Sequence, residues 1–190
     1  MAEPLMMRCE SESLQSNMKK SIYLVAILFV SNILNAQTIE TKSIEQRLLE
    51  IEDKMAIKNV VDVFSNLADT KEIEKQVLLF TEDGIVESYS NGVASSTLKG
   101  RNQLKEAFTA FLSSFRTVYH QNSQQTIDLR GDEATATSYC RVILVGEQEG
   151  KQVKTTLYTI YTDEFVKIDN KWLIKHRKSN FVWREVEEVK

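Results

Sequence analysis

The chain has 190 residues, of which 42% are apolar and 27% charged, an ordinary composition for a globular protein. Its 24 basic and 27 acidic side chains give a formal net charge of −3 at pH 7. With no basic excess to neutralise phosphates, nucleic-acid binding is excluded as its main task, and a single proline excludes collagen-like and proline-rich disordered chains.

The first 36 residues have the pattern of an export signal. Lys19 and Lys20 precede an apolar run over residues 22–34, and Ala36 supplies a small residue where a signal peptidase would cut. The run is shorter than the roughly 20 apolar residues of a membrane-spanning helix. We therefore predict an N-terminal extension plus a secretory signal over 1–36, with Met18 as the true start and cleavage near Ala36. The product would be periplasmic or secreted, without a stable membrane anchor, and would keep a single domain over 37–190.

Cysteine usage in the exported chain is minimal. Cys9 belongs to the extension, so only Cys140 remains and no intrachain disulfide can form. Because Cys140 falls in the middle of a predicted strand, away from any helix N-terminus, we expect a small buried apolar residue.

Three helices are predicted. Ser43 and Gln46 form a capping box, and apolar side chains at spacings of three and four predict a helix over 43–68. The stripe expected to face the core begins with Ile44, Leu48, Ile51 and Met55 and continues through Val60, Val63, Phe64 and Leu67. A second, shorter helix is expected over 71–79 and a third over 102–115.

The rest of the chain reads as strands separated by turns. Asn91-Gly92 is a strong hairpin signal between strands over 85–89 and 93–98. Further turn signals at 131–132, 146–150 and 169–170 separate long strands over 118–129, 134–145, 153–168 and 172–183. These four predict an antiparallel meander. Helices packed on one face of a strongly bent antiparallel sheet give an α+β cone, whose mouth is the natural place for a pocket.

Recognisable cofactor and nucleophile motifs are absent from the sequence. It contains no glycine-rich dinucleotide or phosphate loop, no G-x-S-x-G nucleophile elbow and no H-E-x-x-H zinc motif, and only two histidines. We therefore expect neither a cofactor nor a metal ion.

Short segments in a fixed order carry a family resemblance. They are FSNLAD at 64–69, LFTEDG at 79–84, KGR at 99–101, HQN at 120–122, GDEATA at 131–136 and YTDEFVKIDNKWLI at 161–174, followed by Arg177. Over about 44–184 the chain resembles the SnoaL-like branch of the NTF2-like superfamily, the polyketide cyclase and dehydratase group. The resemblance implies an NTF2-like cone and a homodimer.

The resemblance also implies site residues. Dehydratases of the family commonly use an Asp–His pair inside the cone, often with a tyrosine on the first helix and sometimes an arginine on the last strand. Asp69, His120 and Arg177 stand at the Asp, His and Arg positions, whereas Phe64 replaces the tyrosine and removes its phenol. Tyr139 or Tyr161 could supply a hydroxyl from the sheet instead. The substrate-binding candidates are Phe64, Asn122, Tyr139, Tyr161 and Trp172.

The chemistry of such a pair follows from its groups. Imidazole titrates near neutrality, so a histidine can take a proton and return it, and a carboxylate on its other nitrogen fixes the tautomer. Elimination of water beside a carbonyl needs both a base and an acid. Arg177 could steady a developing enolate or a substrate carboxylate.

Each candidate also has a purely structural reading. Asp69 could cap the second helix, His120 could be a half-exposed strand residue, and Arg177 could be a surface charge among lysines. Polar residues at even positions from 120 to 128 fit a cavity wall and a solvated face equally well.

The leading functional hypothesis is an exported dehydratase, isomerase or cyclase that acts on a small apolar molecule without a cofactor. The alternative from another class is a non-catalytic protein that binds a small ligand. A third is an oligomeric scaffold that uses the outer face of the sheet.

Overall fold

The computed structural model of the chain describes residues 42–189. The extension and export signal predicted over 1–36, with the cleavage site near Ala36, lie outside the described residues. Among the described residues, no helix is long and apolar enough to span a membrane.

The helices lie near their predicted positions. Helix α1 spans Ile44–Asp69 and begins directly after Ser43, and helix α3 spans Gly100–Ser113. The predicted second helix is instead a single turn, α2 (Ile73–Gln76), followed by a 3₁₀ turn (Val77–Leu79). Lys71, the first residue of the predicted helix, has a φ of 57°, outside the right-handed helical region, so the helix begins only after it.

Helix α1 buries only the second half of the stripe that we expected to face the core. Its buried apolar residues are Ile57, Val60, Val61, Phe64 and Ala68. The first half of the predicted stripe is exposed, with exposed fractions of 84% for Ile44, 54% for Leu48, 53% for Ile51 and 68% for Met55, so the assignment of these four residues to the core is wrong. Val60 and Phe64, later in the same predicted stripe, are buried as expected. At about 100° per residue, the four exposed residues and the buried ones lie on nearly opposite sides of the helix. The stripe nearer Asp69 is the one that packs on the sheet.

Within the described part of the chain, six strands form one open sheet in the order β2-β1-β6-β5-β4-β3. Their bounds are β1 Phe80–Ser90, β2 Val93–Lys99, β3 Phe115–Arg130, β4 Glu133–Gln148, β5 Lys151–Ile168 and β6 Lys171–Glu188. The antiparallel meander of β3 to β6 is confirmed. The sheet as a whole is mixed rather than antiparallel, because β1 pairs in parallel with β6. Pairing between the first and last strands leaves no local signal in the sequence.

The hairpin turns have the backbone that their sequences predict. Both central residues have positive φ at Asn91-Gly92 and at Asp169-Asn170, as a type I′ turn requires. The turn predicted over 146–150 is shorter: β4 continues to Gln148, and Glu149-Gly150 forms the turn.

Two of the register shifts in the sheet decide which predicted site residues face inward. In β3 the register shifts between Asn122 and Gln125, so the inward parity moves from even to odd residues. In β6, Phe165 pairs with Ile174 but Glu164 pairs with His176, which leaves Lys175 as the extra residue. Arg177 therefore takes the inward position that strict alternation would have given to His176.

One polar contact ties α1 to the β5–β6 hairpin. Asp53 Oδ1 accepts hydrogen bonds from Lys167 Nζ at 2.7 Å and from the indole Nε1 of Trp172 at 2.8 Å. Burial alone would raise the pKa of Asp53, but the two hydrogen bonds outweigh it and hold that pKa below its ordinary value of 3.8.

We expect Asp53→Asn to lower the free energy of unfolding by about 1–2 kcal/mol, because both donors lose a charged acceptor. A group with a depressed folded-state pKa stabilises the fold above its unfolded pKa. The difference in the free energy of unfolding between the wild type and Asp53→Asn should be largest above pH 3.8 and should shrink as the pH falls below that value. Urea unfolding over a pH series measures it, with Glu106→Gln, at an exposed position of α3, as the control. A difference that does not change with pH would contradict the account.

Candidate functional site

A cavity of about 270 Å³ lies between the helices and the inner face of the sheet. This is near the small end of the range for ligand pockets. Its wall is mostly apolar and aromatic, with contributions from Phe64, Phe108, Phe111, Leu157, Tyr161 and Phe181. The titratable side chains on the wall are His120, Tyr161 and Arg177.

Asp69 and His120 form a hydrogen-bonded pair at this cavity. Nδ1 of His120 lies 2.7 Å from Asp69 Oδ1, and the backbone N–H of His120 donates to both carboxylate oxygens at 3.0 and 3.1 Å. The His120 side chain is only 7% exposed. Because an ionised carboxylate can only accept hydrogen bonds, Nδ1 carries the proton. Nε2 is therefore the ring nitrogen left for a molecule in the cavity.

The end of helix α1 places Asp69 for this contact. The N–H of Glu72 bonds the carbonyl of Leu67 and that of Lys71 bonds Ala68, a Schellman motif with Lys71 in the left-handed conformation. The negative end of the helix dipole disfavours a carboxylate in the last helical turn. Hydrogen bonds from His120 to Asp69 offset this unfavourable interaction. The capping alternative for Asp69 is wrong, since Glu72 stands at the N-cap of α2 without a side-chain cap bond.

Arg177 is buried, so the surface-charge alternative is wrong. Its side chain is 1% exposed and donates through Nε and Nη2 to the two oxygens of Asp163, at 2.8 and 2.7 Å. The guanidinium lies 4.2 Å from the ring centre of Phe64 and 4.4 Å from that of Tyr161. Burial alone would lower the pKa of Arg177, but the charge of Asp163 and its hydrogen bonds raise it above its usual value.

Two of the five predicted substrate-binding residues, Phe64 and Tyr161, line the cavity. Tyr161 is 5% exposed, and burial raises the pKa of its hydroxyl, so the phenol stays protonated and can donate.

The other three lie elsewhere. Asn122 accepts from Ser65 Oγ and donates to Asp62, which joins β3 to α1. The indole of Trp172 is held by Asp53. Tyr139 points to the opposite face of the sheet, where it is 42% exposed and lines a wide groove of about 430 Å³. That groove is larger than the cavity, but neither histidine lines it.

Two residues at or beside the cavity were not predicted from the sequence. Asp163 shares its strand parity with Tyr161 and Phe165, which was a usable signal for an inward-facing charge. Gln76 is 1% exposed and lines the cavity from α2. A glutamine in a one-turn helix carries no such signal.

Cys140 is 4% exposed, and burial raises the pKa of its thiol to about 12, which fits the buried apolar residue that we expected. Within residues 42–189, no three His, Cys, Asp or Glu side chains are grouped as a metal site requires.

Similar solved structures share this fold. A candidate scytalone dehydratase from Novosphingobium aromaticivorans is 27% identical, with a TM-score of 0.63 over 74% of this chain and 91% of its own. An NTF2-like protein with a cystatin-like fold from the same organism is 21% identical, with a TM-score of 0.57 over 75% and 92%. A hexachlorocyclohexane dehydrochlorinase, LinA type 2, is 12% identical, with a TM-score of 0.61 over 76% and 93%. The last two likenesses concern the fold alone.

The NTF2-like α+β fold predicted from the sequence is thereby confirmed. No protein of curated function matches the chain. The model of the SnoaL-like domain matches residues 49–178, which is more than half of the sequence and includes Phe64, Asp69, His120 and Arg177. The chain therefore belongs to the SnoaL-like domain family.

Proposed function

We propose that this protein is a dehydratase that eliminates water from small, mostly apolar hydroxy-carbonyl compounds and that the proton transfers are made by its own side chains. The observation that carries the proposal is the 2.7 Å contact between His120 Nδ1 and Asp69 at the wall of a cavity lined by aromatic rings. It leaves Nε2 as a base on the cavity side.

The reaction follows from that arrangement. Nε2 of His120 takes the proton from the carbon beside the substrate carbonyl, and the C–H electron pair moves into an enolate. Asp69 stabilises the imidazolium. The imidazolium then returns a proton to the β-hydroxyl, the C–O bond breaks, water leaves and a conjugated double bond remains. His120 ends neutral, as it began.

Charge that develops on the carbonyl oxygen needs hydrogen-bond donors. Phe64 cannot supply one, but the protonated hydroxyl of Tyr161 and the guanidinium of Arg177 both line the cavity. We assign to Tyr161 the role that the missing phenol would have had. The 27% identity to the candidate scytalone dehydratase supports the reaction type.

His120→Ala should lower kcat/KM by about 100-fold or more, because general acid–base catalysis contributes that much. A suitable substrate is the aldol adduct of benzaldehyde and acetone, whose dehydration gives a conjugated enone that is followed by ultraviolet absorbance. Asp69→Asn should also slow the reaction, because a neutral amide no longer stabilises imidazolium.

His176→Ala is the matched control, since His176 does not line the cavity and lies 3.6 Å from Glu87 and Glu164. Equal losses from both histidine variants would contradict the assigned role of His120.

Tyr161→Phe should lower kcat by about 100-fold with a smaller change in KM, since the lost donor acts mainly on the transition state. Tyr139→Phe on the outer face is the control and should leave kcat unchanged. Unchanged turnover by Tyr161→Phe would remove the tyrosine from the mechanism.

A second candidate function, ligand binding without catalysis, is favoured by the phenylalanine at position 64. Isothermal titration with benzylacetone, which has no hydroxyl to lose, separates the two. Binding of this ketone without any turnover of the hydroxylated adduct would favour the binding protein.

A further inference from the structure

Gln76 presents a buried acceptor with no partner. Its side chain lines the cavity, and its Oε1 has no hydrogen-bond partner among the described residues. A buried polar atom left unpaired costs free energy unless a ligand or a water satisfies it.

The orientation of this amide is fixed by its other end. Nε2 of Gln76 donates to the backbone carbonyl of Phe64 at 3.0 Å. A carbonyl oxygen only accepts, so the nitrogen must face Phe64 and the oxygen must be the unpaired atom. Gln76 therefore offers the cavity an acceptor, which only a hydroxyl or an N–H can match.

Arg177 presents the complementary group. Nε and Nη2 are engaged by Asp163, but Nη1 is buried and has no partner among residues 42–189. The guanidinium stacks on the ring of Phe64, the residue whose carbonyl holds Gln76. The acceptor of Gln76 and the donor of Arg177 thus belong to two residues that both contact Phe64 and both line the cavity.

The charges around the cavity disfavour an anionic ligand. Asp69 and Asp163 contribute −2 and Arg177 contributes +1, a sum of −1 with neutral His120 and of zero with imidazolium. Because Asp163 already neutralises Arg177, the free Nη1 suits a neutral carbonyl better than a carboxylate.

We infer that Gln76 Oε1 and Arg177 Nη1 together select neutral hydroxy-ketones, with Gln76 accepting from the substrate hydroxyl and Arg177 donating to its carbonyl. The inference rests on the proposed dehydratase function and narrows its substrate class. Gln76 is then a specificity-determining residue, since an analogue without the hydroxyl leaves its buried oxygen unpaired.

The test uses ligands that cannot react. The first ligand is a derivative of the benzaldehyde–acetone adduct. The carbon between its carbinol and its carbonyl carries two methyl groups in place of hydrogens, so elimination is blocked. The second is the same ketone without the hydroxyl. Isothermal titration of the full chain should give about tenfold tighter binding of the hydroxylated ketone. Replacing the carbonyl of the second ligand by a methylene group should weaken binding further.

Gln76→Met keeps the side-chain length and removes the acceptor. The ratio of the dissociation constants of the two ketones, which measures the hydroxyl preference, should therefore fall close to one in this variant. Ser179→Ala removes another polar group of the cavity wall and should leave that preference intact. If Gln76→Met does not fold, the NMR shift of the Gln76 side-chain carbonyl carbon in the wild type serves instead. This resonance should shift when the hydroxylated ketone binds and should not shift when the ketone without the hydroxyl binds.

Equal affinity of the wild type for the two ketones would overturn the inference, as would a preference that survives in Gln76→Met. Because neither ketone can lose water, these results do not depend on turnover. Failure of the dehydratase proposal would appear separately, as no enone formed from the reactive adduct.

Discussion

A guanidinium can be buried only if its charge is matched, and the pairing of Arg177 with Asp163 meets that requirement beside the cavity. The two side chains are 1% and 0% exposed and meet through two hydrogen bonds. Removal of either partner would leave an uncompensated charge in the interior. The rings of Phe64 and Tyr161 pack on the same guanidinium, so the ion pair also orients the aromatic wall against which a ligand would rest.

Three polar groups that are hard to explain by stability alone lie at or beside this one cavity. Asp69 carries its charge in the last turn of a helix, where the dipole disfavours it, and Gln76 and Arg177 each bury an unpaired atom. Local conflicts of this kind are expected where a protein keeps groups for a ligand rather than for its own fold. The rest of the wall is mostly apolar, which strengthens the hydrogen bonds made to a molecule inside.

Much of this arrangement was predictable from the sequence. Apolar spacing, turn residues and the segments around Asp69 and His120 were sufficient for the helices, the meander and the family. The burial of Arg177 was not, because an extra residue at Lys175 reverses the inward parity of β6, and a bulge leaves no signal in composition. The first half of the α1 stripe was also mistaken, since Ile44 to Met55 form an apolar side that stays exposed and only tertiary packing decides which apolar side is buried.

Proton abstraction by His120 is the central claim, and exchange of ketone α-hydrogens in heavy water measures it without requiring elimination. Benzylacetone has such hydrogens and no hydroxyl, so a working base should exchange them for deuterium faster than buffer does, as followed by proton NMR. The account predicts exchange that depends on the protein and falls to the buffer rate in His120→Ala. Exchange at the buffer rate, with benzylacetone shown by titration to be bound, would contradict it.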